Sequence, residues 1–229
     1  MKGYGEALRY FLESELVAGH TIVAIGHSAS TAAWTLGCSF YSSVSFRAVI
    51  FIESTLDSIK SMSLDDSSIN QYLLKLQGTL LRKDAWDDIS SLSQWLRKQY
   101  PWKLWDQRVL DIYLKHGFKT VVRGEKQVIM PKISKMQEVG AYLYQDHIVA
   151  LEQLSKLCSK FPVHSVFVQR SELISKRARA VLCDKSEGRN MASVMILPKV
   201  GHWCVQEKPE LVAEAIFGIL NAPVAESRL

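Results

Sequence analysis

A short apolar run, Thr21-Ile22-Val23-Ala24-Ile25, leads directly into Gly26-His27-Ser28-Ala29-Ser30 and then into a stretch of small residues. The run is rich in β-branched residues and too short for a helix, which predicts a buried strand. From Ala29 to Ser43 the apolar residues Ala29, Ala32, Ala33, Leu36 and Phe40 recur at helical spacing, which predicts a helix with one covered face. A serine at such a strand-to-helix turn has an exposed hydroxyl, and the adjoining helix N-terminus favours negative charge. That is the setting for a serine nucleophile. Small residues flank the turn because the two backbones approach closely, so Ser30 in the place of a final glycine is a tolerable departure from Gly-x-Ser-x-Gly.

A second motif lies near the other end. Ser193-Val194-Met195-Ile196-Leu197 reads as a further buried strand, followed by Pro198-Lys199-Val200-Gly201-His202-Trp203. Pro209 then suits a first helical turn, and Val212, Ala215, Ile216, Ile219 and Leu220 share one side of the helix it opens. A histidine in a loop between a late strand and a late helix can reach a nucleophile over the sheet end. Its imidazole would take the serine proton and return it to the leaving group. The chain order, serine first and histidine late, fits that pairing.

Strand-like and helical segments alternate in two separated blocks, which predicts parallel strands covered by helices. The first block holds a helix at Glu6 to Leu16, the elbow segments and a strand at Arg47 to Ile52. The last block holds a strand at Val163 to Val168, a polar helical segment, and the Ser193 to Leu197 strand with its helix. Between them the chain carries Trp86, Trp95, Trp102 and Trp105 with helical patterns at Asp84 to Lys98 and Leu104 to His116. The expected organisation is therefore an α/β core in two pieces, 1–56 and 161–229, around a helical cap at 57–160. A tryptophan-rich cap suits an apolar substrate, and the same rings could equally pack the cap itself.

Composition excludes other classes. The formal net charge is +5, but basic residues are scattered, and Lys176, Arg177 and Arg179 form only a small cluster that reads as a solvated helix face. Nucleic-acid binding is not expected. No run approaches the roughly 18 apolar residues of a membrane span, and no signal-peptide pattern precedes Gly19. Cys38, Cys158, Cys183 and Cys204 lack metal or disulfide spacing, so no metal site is expected and the thiols read as free in a reducing compartment. Ser227-Arg228-Leu229 comes after a breaker at Asn221-Ala222-Pro223. It resembles the Ser-Lys-Leu address read by the peroxisomal import receptor, with the positive charge kept. A peroxisomal location is expected, with the cytoplasm as the alternative.

The order of motifs resembles the α/β-hydrolase fold, with an incomplete parallel sheet, flanking helices and a helical cap. Gly26 to Ser30 resembles its nucleophile elbow and Gly201-His202-Trp203 its histidine loop. Trp102 to Leu110, Tyr113 and His116-Gly117-Phe118 resemble the cap of a fungal group that includes peroxisomal lipase-like proteins and hydrolases of AK-toxin-type host-selective toxin clusters. The resemblance implies a serine hydrolase without cofactor, with Ser28 as nucleophile, His202 as base and the Ala29 amide in the oxyanion hole. It also implies a small apolar acyl substrate bound as an ester or thioester. A role in making a decatrienoic-acid-derived toxin is the narrower implication, and a general fatty-acyl lipase or esterase would look much the same. The acid has three candidates. Glu53 closes an apolar strand, where a carboxylate needs a partner such as imidazolium, and is preferred. Glu172 in Gln169-Arg170-Ser171-Glu172 is the alternative, and Asp184 stands third. Only about twenty residues precede the elbow strand, where the fold normally supplies further strands and a second oxyanion amide. The expectation is an N-terminally shortened chain, with a non-catalytic hydrolase-like protein as the competing outcome.

Overall fold

Described in this computed structural model are residues 2–37, 45–57, 74, 76–143 and 146–222. In chain order the described elements begin with α1 (Lys2–Leu12), β1 (Ile22–His27), α2 (Ser30–Leu36) and β2 (Phe46–Ile52). Next come α3 (Ile89–Leu96), α4 (Gln107–His116), β3 (Phe118–Arg123), β4 (Lys126–Pro131) and α5 (Lys135–Leu143). They end with α6 (Asp146–Lys160), β5 (Val163–Arg170), α7 (Lys176–Leu182), β6 (Ser193–Gly201), α8 (Cys204–Glu207) and α9 (Pro209–Asn221). Two compact units result: Met1–Ser61 with Gln145–His202 and Glu210–Leu229, and Met62–Tyr144 with Trp203–Pro209.

In the first unit the four described strands lie in the order β1-β2-β5-β6, every pair parallel. The apolar run of β2 is buried along nearly its whole length because strands flank it on both sides, whereas β1 and β6 are the outer strands. This corrects the expectation of two more fully buried strands: Ile25 is exposed on β1, and Val194 and Ile196 are exposed on β6. Ala150, Leu151, Leu154 and Leu157 recur at helical spacing on α6 and meet Leu12, Ala32, Phe51 and Phe167 in one core.

Element ends differ from the sequence pattern for local reasons. The first helix ends at Leu12 and not Leu16, since the Ser14 hydroxyl donates to the Phe11 carbonyl at 2.6 Å and competes with the helical ladder. α2 ends before Gly37, and the rest of the expected helix, 38–43, lies outside the described residues. β6 runs on through Pro198 to Gly201. An outer strand tolerates proline, and the register slips between Val168↔Leu197 and Arg170↔Gly201. Lys199 takes φ +58 in that bulge, and its N–H donates to Gln169 Oε1 at 2.9 Å. Such a bulge re-aims the chain beyond the strand, and His202 is the first residue there.

Among its described residues the regular elements of the second unit are helices and the antiparallel β3–β4 hairpin, which the sequence reading did not anticipate. Its two-residue loop places Gly124 at φ +61, the sign a tight hairpin needs at its first central residue. The tryptophans build this unit's own core: Trp86, Trp95, Trp102, Trp105, Tyr113 and Phe118 form a closed circuit of ring contacts, each 5.0–6.5 Å between centroids.

Candidate active site

The turn between β1 and α2 is held by its own small and polar residues. Ser28 sits at φ +56, a left-handed conformation that costs a non-glycine residue of order 1–3 kcal/mol and persists only when the surroundings enforce it. A Cβ on Gly26 would stand 3.0 Å from Trp34 Cδ1 and 3.2 Å from Thr31 Cα, so the first glycine is required by the approach of α2. Ser30 explains its own departure from glycine: its hydroxyl accepts from the His27 N–H at 2.8 Å and donates to the His27 carbonyl at 2.8 Å. Thr31 Oγ1 donates to the Ser28 carbonyl at 2.7 Å and lies 2.9 Å from Ser54 Oγ, tying the turn to the segment after β2.

Parallel register then gathers the side chains at one end of the sheet. β1 and β2 pair His27 with Ile52, so Ser28 and Glu53 emerge side by side, and the Ser28 N–H donates to the Ile52 carbonyl at 2.9 Å. Glu53 also leaves its strand in the left-handed region, at φ +45. His202 comes after β6 at the same end. The Ser28 hydroxyl lies 2.9 Å from His202 Nε2, and His202 Nδ1 lies 3.4 Å from Glu53 Oε2. His202 is 1 % and Glu53 0 % exposed, so this hydrogen-bonded chain is shielded from water except at its serine end.

A fully buried carboxylate needs donors, and Glu53 has them on both oxygens. Oε1 accepts from the Val168 N–H at 2.9 Å and from Arg179 at 3.3 Å; Oε2 accepts from the Ser171 hydroxyl at 2.7 Å and faces His202. Burial pushes this carboxyl upward, but His202, Ser171, Val168 and Arg179 together outweigh it, and the group is held below the ordinary glutamate value. Arg179 is a correction to the solvated-face reading of the 176–179 cluster. Its guanidinium turns inward, donates to the Val168 carbonyl at 2.6 Å and lies 5.0 Å from the Phe167 ring centre.

The two other carboxylates are placed differently. Glu172 Oε2 accepts from the main-chain N–H of His202 at 3.1 Å and makes no described bond to the ring. Asp184 is away from the site and caps the short turn Lys185–Glu187, accepting from the Ser186 N–H at 2.9 Å. His27 is packed against His202, ring centres 5.1 Å apart, and its Nε2 lies 2.9 Å from the His202 carbonyl. Burial lowers its pKa to about 4, so its imidazole is neutral at pH 7. The Ala29 N–H, next after Ser28, makes no backbone–backbone hydrogen bond among the described residues. No group of three or more His, Cys, Asp and Glu side chains among the described residues could hold a metal ion, and no described helix is long and apolar enough to cross a membrane. Cys158, Cys183 and Cys204 are free thiols. Cys38 and the tail Ser227-Arg228-Leu229 lie outside the described residues.

No protein-family model and no curated protein sequence matches the chain. Solved structures do. The peroxisomal alpha-beta-hydrolase Lpx1 of Saccharomyces cerevisiae superposes with a TM-score of 0.71 at 15% identity, covering 98% of this chain and 60% of that one. This chain has the α/β-hydrolase fold. The M. tuberculosis esterase Rv0045c superposes at 0.68 with 14% identity over 96% of this chain and 68% of that one. An E-2-(acetamidomethylene)succinate hydrolase does so at 0.66 with 18% identity over 96% and 73%. The chain thus spans about three fifths of the length of Lpx1.

Within the α/β-hydrolase frame, Ser28, His202 and Glu53 come together, with Ala29 beside the serine, while Glu172 reaches only the histidine main chain and Asp184 stays apart. Sequence reasoning missed Arg179, the Ser171 hydroxyl and the role of His27. Ser171 lay inside a segment already singled out and His27 inside the elbow. Arg179, eight residues beyond Ser171 on another element, carried no local signal. Chemically, an imidazole bonded to a hydroxyl on one side and a buried carboxylate on the other can accept that hydroxyl's proton and hold the resulting charge.

Proposed function

We propose that this chain is a serine hydrolase acting on an ester or thioester of an apolar acyl group. The reading is carried by one observation: a strained serine at a strand-to-helix elbow, its hydroxyl 2.9 Å from the Nε2 of a histidine whose other nitrogen faces a buried carboxylate. Ser28 Oγ attacks the acyl carbonyl as His202 takes its proton, and a tetrahedral oxyanion forms beside the Ala29 N–H. Collapse breaks the ester or thioester bond, and His202 returns the proton to the departing alcohol or thiol. Water then repeats the sequence on the acyl-serine and releases the acid. Glu53, held ionised by its donors, stabilises the imidazolium. None of these steps calls for a cofactor.

The apolar acyl class is supported by the tryptophan-rich segment, in which Trp95, Trp102 and Trp105 are only half-buried. A peroxisomal address is supported by Ser227-Arg228-Leu229 and by the likeness to peroxisomal Lpx1. A toxin-pathway step rests on the resemblance of residues 102–118 alone, and a general fatty-acyl esterase is the broader form of the same reading. A fluorophosphonate probe tests the chemistry. Folded protein should be labelled at Ser28 and Ser28→Ala should abolish labelling; a folded protein that takes no label is the non-catalytic alternative. A fluorescent fusion with a free C-terminus tests the address, which fails if the signal is cytosolic whether or not the last three residues are present.

A further inference from the structure

We infer that His27 and Glu172 are positioning residues that clamp the main chain of His202 and so fix its imidazole against Ser28. This rests on the serine-hydrolase reading of the same site.

Both polar main-chain groups of His202 are held by side chains from other segments. Its N–H donates to Glu172 Oε2 at 3.1 Å, and its carbonyl accepts from His27 Nε2 at 2.9 Å. The two holders come from distant parts of the chain, the last residue of β1 and the loop after β5. His202 needs such support because it leaves β6 just beyond a bulge in which Lys199 is left-handed and two extra residues interrupt pairing with β5. A backbone leaving a strand in this way is not fixed by the ladder alone.

His27 adds a second constraint. Its ring lies 5.1 Å from the His202 ring, tilted by 35°, which limits rotation of the imidazole. Its own main chain is pinned at both N–H and carbonyl by Ser30. One turn therefore fixes the nucleophile and, through His27, the base, so that their separation is set by a single rigid piece of backbone. For Nε2 to donate to a carbonyl it must carry the proton, and a neutral His27 holds its one proton there. At the imidazole itself Nδ1 faces Glu53, with Arg179 behind Glu53. Glu172 acts on the backbone, so its hydrogen-bond acceptor matters and its charge does not.

The test measures kcat and KM for p-nitrophenyl octanoate in folded variants. His27→Phe and Glu172→Leu, which remove the bonds, should lower kcat about 10- to 100-fold, the order expected for misplacing a catalytic group by an ångström, with KM within about threefold. His27→Gln, whose amide reaches the position of Nε2, and Glu172→Gln, which keeps an acceptor, should recover most of that loss. Unchanged kcat in the Phe and Leu variants overturns the clamp. So does a Glu172→Gln variant as impaired as Glu172→Leu, because the charge would then be what matters. Amide exchange at His202, read by NMR, should quicken about tenfold or more in Glu172→Leu; unchanged exchange also overturns the inference. That readout needs no turnover, so a Ser28→Ala protein that still hydrolyses ester defeats the hydrolase reading and leaves the clamp separately decided.

Discussion

Glu53 and His27 are two largely buried titratable residues whose environments push in the same direction along the pH scale. His27 is lowered from 6.5 to about 4 by burial, so between those values the unfolded chain binds a proton that the folded chain refuses. Stability therefore falls as pH drops from about 6.5 towards 4. Glu53, held below its ordinary 4.5, adds to the loss as pH falls further. Urea midpoints should decline from pH 7 to pH 5, and His27→Gln should flatten that slope by at most about 1.4 kcal/mol per pH unit, one proton's worth. A flat midpoint in the parent protein would contradict the buried, neutral imidazole. Glu53→Gln is expected to lower turnover by about 10³- to 10⁴-fold, the scale seen when a triad carboxylate becomes an amide. If Glu53→Gln kept near-parental kcat while Glu172→Gln lost it, the acid would be Glu172. At this scale the sequence exposed Ser28, His202 and the pair of glutamates, because each sits beside a recognisable strand. It preferred Glu53, which closes an apolar strand, but could not place either glutamate against the imidazole, since that depends on a strand register that pairs residues more than a hundred positions apart.

Elements explain why the elbow tolerates a serine where a glycine is usual and why it cannot do the same at Gly26. Ser30 lies at the start of α2 with its hydroxyl closed onto His27, whereas any Cβ at Gly26 meets the backbone of Thr31 at 3.2 Å. Gly26→Val should destabilise the protein by about 1–3 kcal/mol, the usual range for overpacking, and should cost fluorophosphonate labelling of Ser28 even in the fraction that folds. Full labelling at unchanged stability would mean that the turn has room the geometry denies. Strand β6 makes the complementary point. Its apolar letters gave the strand, but its extension through Pro198 and the bulge at Lys199 stem from its having a strand on one side only. The β3–β4 hairpin was hidden for a similar reason: its charged and apolar residues do not alternate cleanly and its burial alternates weakly, so only pairing across Gly124 makes it a structure.

Across the molecule, burial in the sheet falls off from its middle. β2 is covered along its length, while β6 exposes Val194 at 51 % and Ile196 at 60 %. Exposed apolar residues on an outer strand favour edge-to-edge association. Ile196→Lys should raise the concentration at which the protein stays monodisperse by light scattering, without loss of Ser28 labelling; a drop in labelling would show that this face supports the site. The second unit keeps its own core, and the circuit of six aromatic rings accounts for most of the tryptophan that stood out in the composition.

The sequence by itself determined the alternation of apolar runs and amphipathic stretches, and hence a parallel sheet with covering helices. It also determined the small-residue elbow that can hold a serine. Those are local properties, written in neighbouring residues. Only the tertiary structure decided which carboxylate faces the histidine ring and that Arg179 turns inward to meet that carboxylate. These depend on strand order and register, which place residues from distant parts of the chain within 3–4 Å of one another. The Gly26 to Ser30 turn is where the two kinds of information meet, its shape set locally and its chemistry completed by β2, β5 and β6.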